Sequence, residues 1–116
     1  SKQNDLRFEN AVCITSYVFS LIKKFPDAIM NNLLNSGIRY IVNIEPLYEV
    51  QNEKNNLDMK IKQYISNNNY NIDYYSKLRQ LENMGKVRIL NYKKNKYGIN
   101  PFFPGSVLIW EISNAR

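Results

Sequence analysis

Leu78-Arg79-Gln80-Leu81-Glu82-Asn83-Met84-Gly85-Lys86-Val87 is the stretch on which the fold reading turns. At about 100° per residue, Tyr74, Leu78 and Leu81 share one helical face and are expected to pack inward. Asp73, Ser76, Arg79, Gln80 and Asn83 point the other way. Gly85 supplies the left-handed residue that commonly ends a helix. A strand is expected at once from Val87 to Tyr92, followed by the cationic turn Lys93-Lys94-Asn95-Lys96-Tyr97-Gly98. The order is therefore helix, glycine, strand, basic hairpin.

Working outward, Leu57 to Ser66 forms a helix with Leu57, Ile61, Tyr64 and Ile65 on one face. Asn67-Asn68-Asn69 makes a turn, because asparagine tolerates left-handed backbone and caps helices locally. The next helix starts near Asn71 and runs to Met84. Upstream, Ala28 to Asn35 reads as a helix with Asp27 as its cap. Ile38 to Ile44 reads as a short strand that Pro46 stops. Ala11, Ile14, Val18, Leu21 and Ile22 recur at three- and four-residue steps, which predicts an N-terminal helix over 8–25 closed by Pro26. Valine, isoleucine and tyrosine in 11–19 also permit a strand there. Downstream, Pro101 and Pro104 interrupt the return from Tyr97, and Val107 to Ile112 makes a last apolar strand with Trp110 packed. At 116 residues the chain is read as a single domain, 1–116, with the N-terminal helix as a dimerisation element and 27–116 as the core.

Charge sharpens the reading. The net charge is +6. Residues 1–50 hold five basic and five acidic residues, whereas 51–116 hold eleven basic and five acidic, so the whole excess lies in the second half. A polyanionic partner is the natural expectation. There is no histidine and a single cysteine, Cys13. An internal disulfide is thereby excluded, the commonest metal ligand and general base are missing, and no metal, cofactor or catalytic residue is expected. Cys13 sits among apolar residues and reads as a small core side chain. No apolar run approaches a membrane span and no signal peptide is visible, so the expected location is cytoplasmic, or nuclear in a eukaryote.

Helix 57–66, the asparagine turn and helix 71–84 have helix-turn-helix spacing. With Leu78, Leu81, Glu82, Gly85 and Val87 filling the shape Leu-x-x-Leu-Glu-x-x-Gly-x-Val, the region resembles the winged helix-turn-helix DNA-binding family. That resemblance implies an α+β fold, a winged helix-turn-helix with an additional N-terminal helix. It implies a non-enzymatic protein that binds double-stranded DNA through a recognition helix, about 71–84, and a lysine-rich wing, about 87–98. Ser76, Lys77, Arg79, Gln80 and Asn83 on the helix are the expected base and backbone contacts, with Arg79 matched to guanine and Gln80 to adenine. Lys93, Lys94 and Lys96 on the hairpin are the expected phosphate contacts. The role is transcription regulation or DNA replication, with a homodimer formed through the N-terminal helix. Tyr97-Gly98-Ile99-Asn100-Pro101 is similar to a segment after the wing in plasmid replication initiators.

Two rival readings stand beside it. One is a winged-helix module that docks on protein in a larger complex. The other rests on Met84-Gly85, Tyr97-Gly98 and Pro104-Gly105-Ser106-Val107-Leu108-Ile109-Trp110-Glu111-Ile112, which resemble the end of an FKBP-type prolyl isomerase. That resemblance implies a degenerate proline pocket lined by Ile72, Tyr75, Tyr97 and Trp110.

Overall fold

The computed structural model describes residues 11–113. Its elements are β1 (Val12–Ser16), a 3-10 turn (Phe19–Leu21), α1 (Asp27–Leu34), β2 (Tyr40–Glu45), α2 (Asn56–Asn67), α3 (Tyr74–Asn83), β3 (Val87–Tyr97) and β4 (Gly105–Ile112). The four strands form one mixed sheet in the order β1-β2-β4-β3. β1 and β2 are parallel, with α1 as their crossover, and β4 runs antiparallel to both β2 and β3.

This overturns the winged-helix architecture. The described chain is dominated by a four-stranded mixed sheet, in which a parallel pair, β1 and β2, stands beside the antiparallel β4 and β3. The N-terminal helix is absent too. Residues 8–10 of the expected span lie outside the described residues, and 12–16 are a strand paired with β2 from Val12↔Tyr40 to Ser16↔Ile44. The three- and four-residue apolar spacing is real, but the β-branched run Val12-Cys13-Ile14-Thr15 finds a parallel neighbour in β2, and that pairing prevails. The expected dimerisation helix disappears with it. Elsewhere local signals locate the elements to within a few residues, except that Lys93–Tyr97, expected as a cationic turn, continue β3 because they pair with β4 from Lys93↔Val107 to Tyr97↔Gly105. Asn69 and Gly85 are left-handed at φ 58° and 76°, where the helices end. Asp27 lies inside α1 rather than capping it, and Pro26 holds the cap position.

Register assigns each strand residue to a face. Cys13, Ile41, Trp110 and Ile89 form one cross-strand row, and Thr15, Asn43, Leu108 and Tyr92 form the next. All three helices cover this face. Met30 of α1 and Tyr74 and Leu78 of α3 join Ile41, Leu108 and Trp110 in the core. On α2, Asp58 pairs with Lys94, which lies on the same side of β3 as Tyr92. The opposite face carries the rows Val12-Tyr40-Glu111-Arg88, Ile14-Val42-Ile109-Asn91 and Ser16-Ile44-Val107-Lys93. No described helix covers it, and Val12 and Ile14 are 54% and 69% exposed. No helix among the described residues is long and apolar enough to cross a membrane.

A polar network fixes the core beneath the sheet. Asn43 Oδ1 accepts from Tyr74 Oη at 2.6 Å and from Trp110 Nε1 at 2.8 Å, while Asn43 Nδ2 donates to Thr15 Oγ1 at 2.7 Å. Every member is buried, so each bond made also avoids the cost of an orphaned group.

Candidate functional site at the carboxyl ends of β1 and β2

Parallel strands deliver their carboxyl ends to one edge of the sheet, and in open α/β sheets that edge is where ligands bind. Here β1 ends at Ser16 and β2 at Glu45, one step apart in register. The next residue, Tyr17, has φ 55°, a left-handed conformation that a bulky side chain adopts only at a cost of about 1–3 kcal/mol. Its phenol explains what holds it there. Tyr17 Oη donates to the carbonyls of Tyr97, at 3.2 Å, or Phe103, at 3.0 Å, in the β3–β4 connection. The Tyr17 and Phe103 rings meet edge to face at 5.5 Å. Phe103 stacks on Tyr70 at 4.5 Å and touches Tyr64 at 5.4 Å.

Two glycines make room for this ring. A Cβ on Gly98 would lie 2.6 Å from Tyr17 Oη, and one on Gly105 would lie 3.1 Å from it. Burial raises the Tyr17 phenol above its ordinary pKa, and the Glu45 charge adds to this against a lowering contact with the Gly105 backbone. Tyr17 is therefore a neutral hydrogen-bond donor at physiological pH.

The Glu45 carboxylate, 1% exposed, organises the loop after β1. Its Oε2 accepts from Val18 N and its Oε1 from Ser20 N, both at 3.1 Å. Ser20 Oγ is fully enclosed and has no hydrogen-bond partner among the described residues. Val18 and Leu21 in this loop are exposed, as are Ile99 and Phe102 in the β3–β4 connection at the same end of the sheet. The edge thus presents a loop held from beneath by Glu45, with apolar side chains exposed around it. No group of acidic or cysteine side chains suited to a metal occurs among the described residues.

Of the expected DNA-contact residues, Ser76, Lys77, Arg79, Gln80 and Asn83 lie on α3 and Lys93, Lys94 and Lys96 on β3. Ser76 donates to Glu49, whose carboxylate also accepts from the Tyr75 and Ser76 amides at 3.0 and 2.9 Å and so caps α3 from outside. Burial raises the Glu49 pKa despite these bonds, with Asp73 adding to the rise. Lys77 Nζ donates to Phe25 O at 2.5 Å and pairs with Asp27 at 3.1 Å. Arg79 lies 3.7 Å from Glu82 on its own helix. Gln80 lines a groove of about 330 Å³ between α1 and α3 with Met30, Leu81 and Met84. Asn83 is exposed at the end of α3. On β3, Lys94 is committed to the buried Asp58, while Lys93 and Lys96 are exposed and make no ion pair among the described residues.

The four residues of the implied proline pocket differ in environment. Trp110 is sealed in the core at 0% exposure, whereas Ile72 and Tyr97 are on the surface and Tyr75 packs against Tyr92 at 5.8 Å.

Sequence reasoning missed Tyr17, Ser20, Glu45, Gly98 and Gly105 as a group. The available signal was Glu45 itself, a carboxylate closing an apolar strand just before Pro46, where burial demands partners. Comparison with known proteins finds no matching family model, no matching curated relative and no matching solved structure.

Proposed function

We propose that this chain is part of an α/β ligand-binding domain and that it takes a small molecule of the nucleoside or nucleotide class outside the carboxyl ends of β1 and β2. The observation that carries the reading is Tyr17, a bulky residue held left-handed at the first position after a parallel strand. Its cost is offset by the hydrogen bond from its phenol to the Tyr97 or Phe103 carbonyl, in space left by the two glycines beside its ring. Strain of this kind concentrates at ligand sites, where it presets the shape of a loop. The ligand class follows by analogy with open α/β sheets in general, which bind nucleotides at this edge.

The test is a thermal-shift panel on the protein at its full natural length, with ATP, NAD, FMN and S-adenosylmethionine, followed by calorimetry of any hit. Saturating ligand should raise Tm by several degrees, and Tyr17→Phe should weaken binding roughly tenfold by releasing the loop that its phenol holds. Binding by none of the four, or binding that Tyr17→Phe leaves unchanged, refutes the proposal.

Double-stranded DNA binding is a second reading, favoured by the exposed Lys93 and Lys96 on β3 and the exposed Arg79 and Asn83 on α3 in a chain of net charge +6. It no longer has a recognition helix and wing to frame it. Lysines along a sheet edge also serve simply to keep that edge from pairing.

A further inference from the structure

β3 runs in the same sense as β2, because both are antiparallel to β4, so its carboxyl end at Tyr97 reaches the same end of the sheet as Ser16 and Glu45. The segments that meet there, 17–26, 59–72 and 95–105, hold Lys23, Lys24, Lys60, Lys62 and Lys96 and no acidic residue. Side-chain contacts tie the three together. The Phe103 ring meets Tyr17 and stacks on Tyr70. Lys23 Nζ donates to Asn69 Oδ1 at 3.3 Å, one position before Tyr70, and Lys60 Nζ stands 6.0 Å from the centre of the Phe102 ring. Lys96 precedes Tyr97, whose carbonyl accepts from the Tyr17 phenol.

The carboxylates of neighbouring elements are engaged elsewhere. Glu45 is buried on the Val18 and Ser20 amides, and Asp58 is buried on Lys94. Glu49 accepts from the Tyr75 and Ser76 amides and Asp73 from the Phe25 amide. Glu53 is exposed but paired with Lys62 at 3.2 Å. Lys23, Lys24, Lys60 and Lys96 make no ion pair among the described residues. At the opposite end of the sheet Arg39 and Arg88 instead share Glu111.

The same surface carries aromatic rings. Tyr97 and Phe102 are 54% and 38% exposed, and Tyr64 and Tyr70 are half-buried. Exposed rings beside unpaired lysines supply the two contacts that a nucleotide unit needs, a face on which its base stacks and a charge for its phosphate.

We infer that this surface binds single-stranded nucleic acid, with bases stacked on Tyr97 and Phe102 and phosphates held by Lys23, Lys60 and Lys96. Duplex DNA would engage the lysines and leave the rings idle, because its bases already stack on one another. A lone mononucleotide would leave most of the surface idle, because its rings and lysines are spread over the loop after β1, α2 and the β3–β4 connection. The inference concerns the end of the sheet described above but needs no small molecule bound there, so either reading can fail without the other.

Fluorescence anisotropy of a labelled oligothymidylate of about a dozen nucleotides, titrated with the protein at its full natural length, tests it. Binding is expected at low salt and should weaken as salt rises. A duplex of equal length should bind roughly tenfold more weakly or worse. Phe102→Ala and Tyr97→Ala, which truncate exposed side chains, should each weaken strand binding roughly fivefold to a hundredfold. Lys23→Ala and Lys60→Ala should each reduce the slope of log affinity against log salt by about 0.7. Lys86→Ala, on an exposed side chain before the amino end of β3, should change neither quantity. No anisotropy change at low salt overturns the inference. Equal or tighter binding of the duplex overturns it, as does binding that the lysine substitutions weaken and the ring substitutions do not. Displacement of the strand by thymidine monophosphate at a similar concentration also overturns it and assigns the surface to a free nucleotide. Strand binding with a failed small-molecule panel would remove the small-molecule reading alone, and the reverse result would remove this one alone.

Discussion

Tyr17 and Phe103, 86 positions apart in sequence, are joined by a 3.0 Å hydrogen bond from the phenol to the carbonyl and by an edge-to-face contact of their rings at 5.5 Å. Through this pair the carboxyl end of a parallel strand holds down the connection of an antiparallel hairpin. The loop after β1 and the loop before β4 thereby become one rigid edge.

Tyr17→Phe keeps the ring contact and removes the phenol, leaving the Tyr97 and Phe103 carbonyls without it. The expected loss is about 1–2 kcal/mol in urea unfolding. Faster exchange should be confined to residues 97–105. Gly98→Ala should cost more, about 2–4 kcal/mol, because the new Cβ meets Tyr17 Oη at 2.6 Å and the backbone sits at φ +124°. Tyr17→Phe in the Gly98→Ala background should restore part of that loss, since the clash goes and the backbone strain stays. Strict additivity in a double-mutant cycle would show that the two residues do not act on each other.

The Asn43 network predicts an asymmetric response. Asn43→Leu strands the Tyr74 hydroxyl and the Trp110 N–H in an apolar interior and should cost about 3–5 kcal/mol. Tyr74→Phe removes a donor but leaves Asn43 Oδ1 with Trp110, so about 1 kcal/mol is expected. Chemical denaturation followed by the fluorescence of Trp110 measures both. Equal losses would mean that the network contributes only packing.

Asp58 and Glu49 should pull the pH profile of stability in opposite directions. Burial alone would raise the Asp58 pKa, but the hydrogen bond from Lys94 and the Asn52 amide more than offset it, and its folded pKa lies below the usual value. A depressed folded pKa means stability that is present above the unfolded value, about 3.9, and is lost as pH falls through the folded value. Asp58→Asn should therefore cost about 1–2 kcal/mol at neutral pH, with the gap to the parent protein closing in acid. Glu49 is raised by burial, so its ionisation opposes folding as pH rises from its unfolded value, about 4.3, to its folded value. Urea titrations from pH 2.5 to 7 on Asp58→Asn and Glu49→Gln separate the two. A gap for Asp58→Asn that stays constant into acid would rule out the ion pair as its source.

Lysine substitutions separate DNA binding from edge protection. If β3 contacts duplex DNA, Lys93→Ala and Lys96→Ala should each lower the slope of log affinity against log salt by about one unit. Lys94→Ala should instead lower stability through Asp58. If the lysines only guard the edge, DNA affinity is unchanged, and Lys93→Ala/Lys96→Ala should show a concentration-dependent rise in association by light scattering.

Residues near one another in sequence determined much of this protein by themselves. Gly85 and Asn69 end helices because each reaches left-handed backbone at small cost. Pro46 stops the strand β2, and the 74-78-81 spacing turns one side of α3 inward, with Tyr74 and Leu78 buried and Leu81 partly so. Cys13 packs against the core as its apolar neighbours imply. Tertiary structure alone decided whether Val12–Ser16 would be strand or helix, since the same residues satisfy a helical spacing and a β-branched run. The outcome rests on Tyr40–Glu45, 28 positions away. It also decided that Lys93–Tyr97, expected as the turn of a wing, continue β3 along the sheet edge. Lys94 is drawn into a buried pair with Asp58 across 36 residues, and Glu45 gathers the loop that follows a different strand. A helix closes its hydrogen bonds within its own segment, so its signals are local. A strand leaves every backbone group to a partner chosen elsewhere in the chain, and the site at the strand ends inherits that dependence.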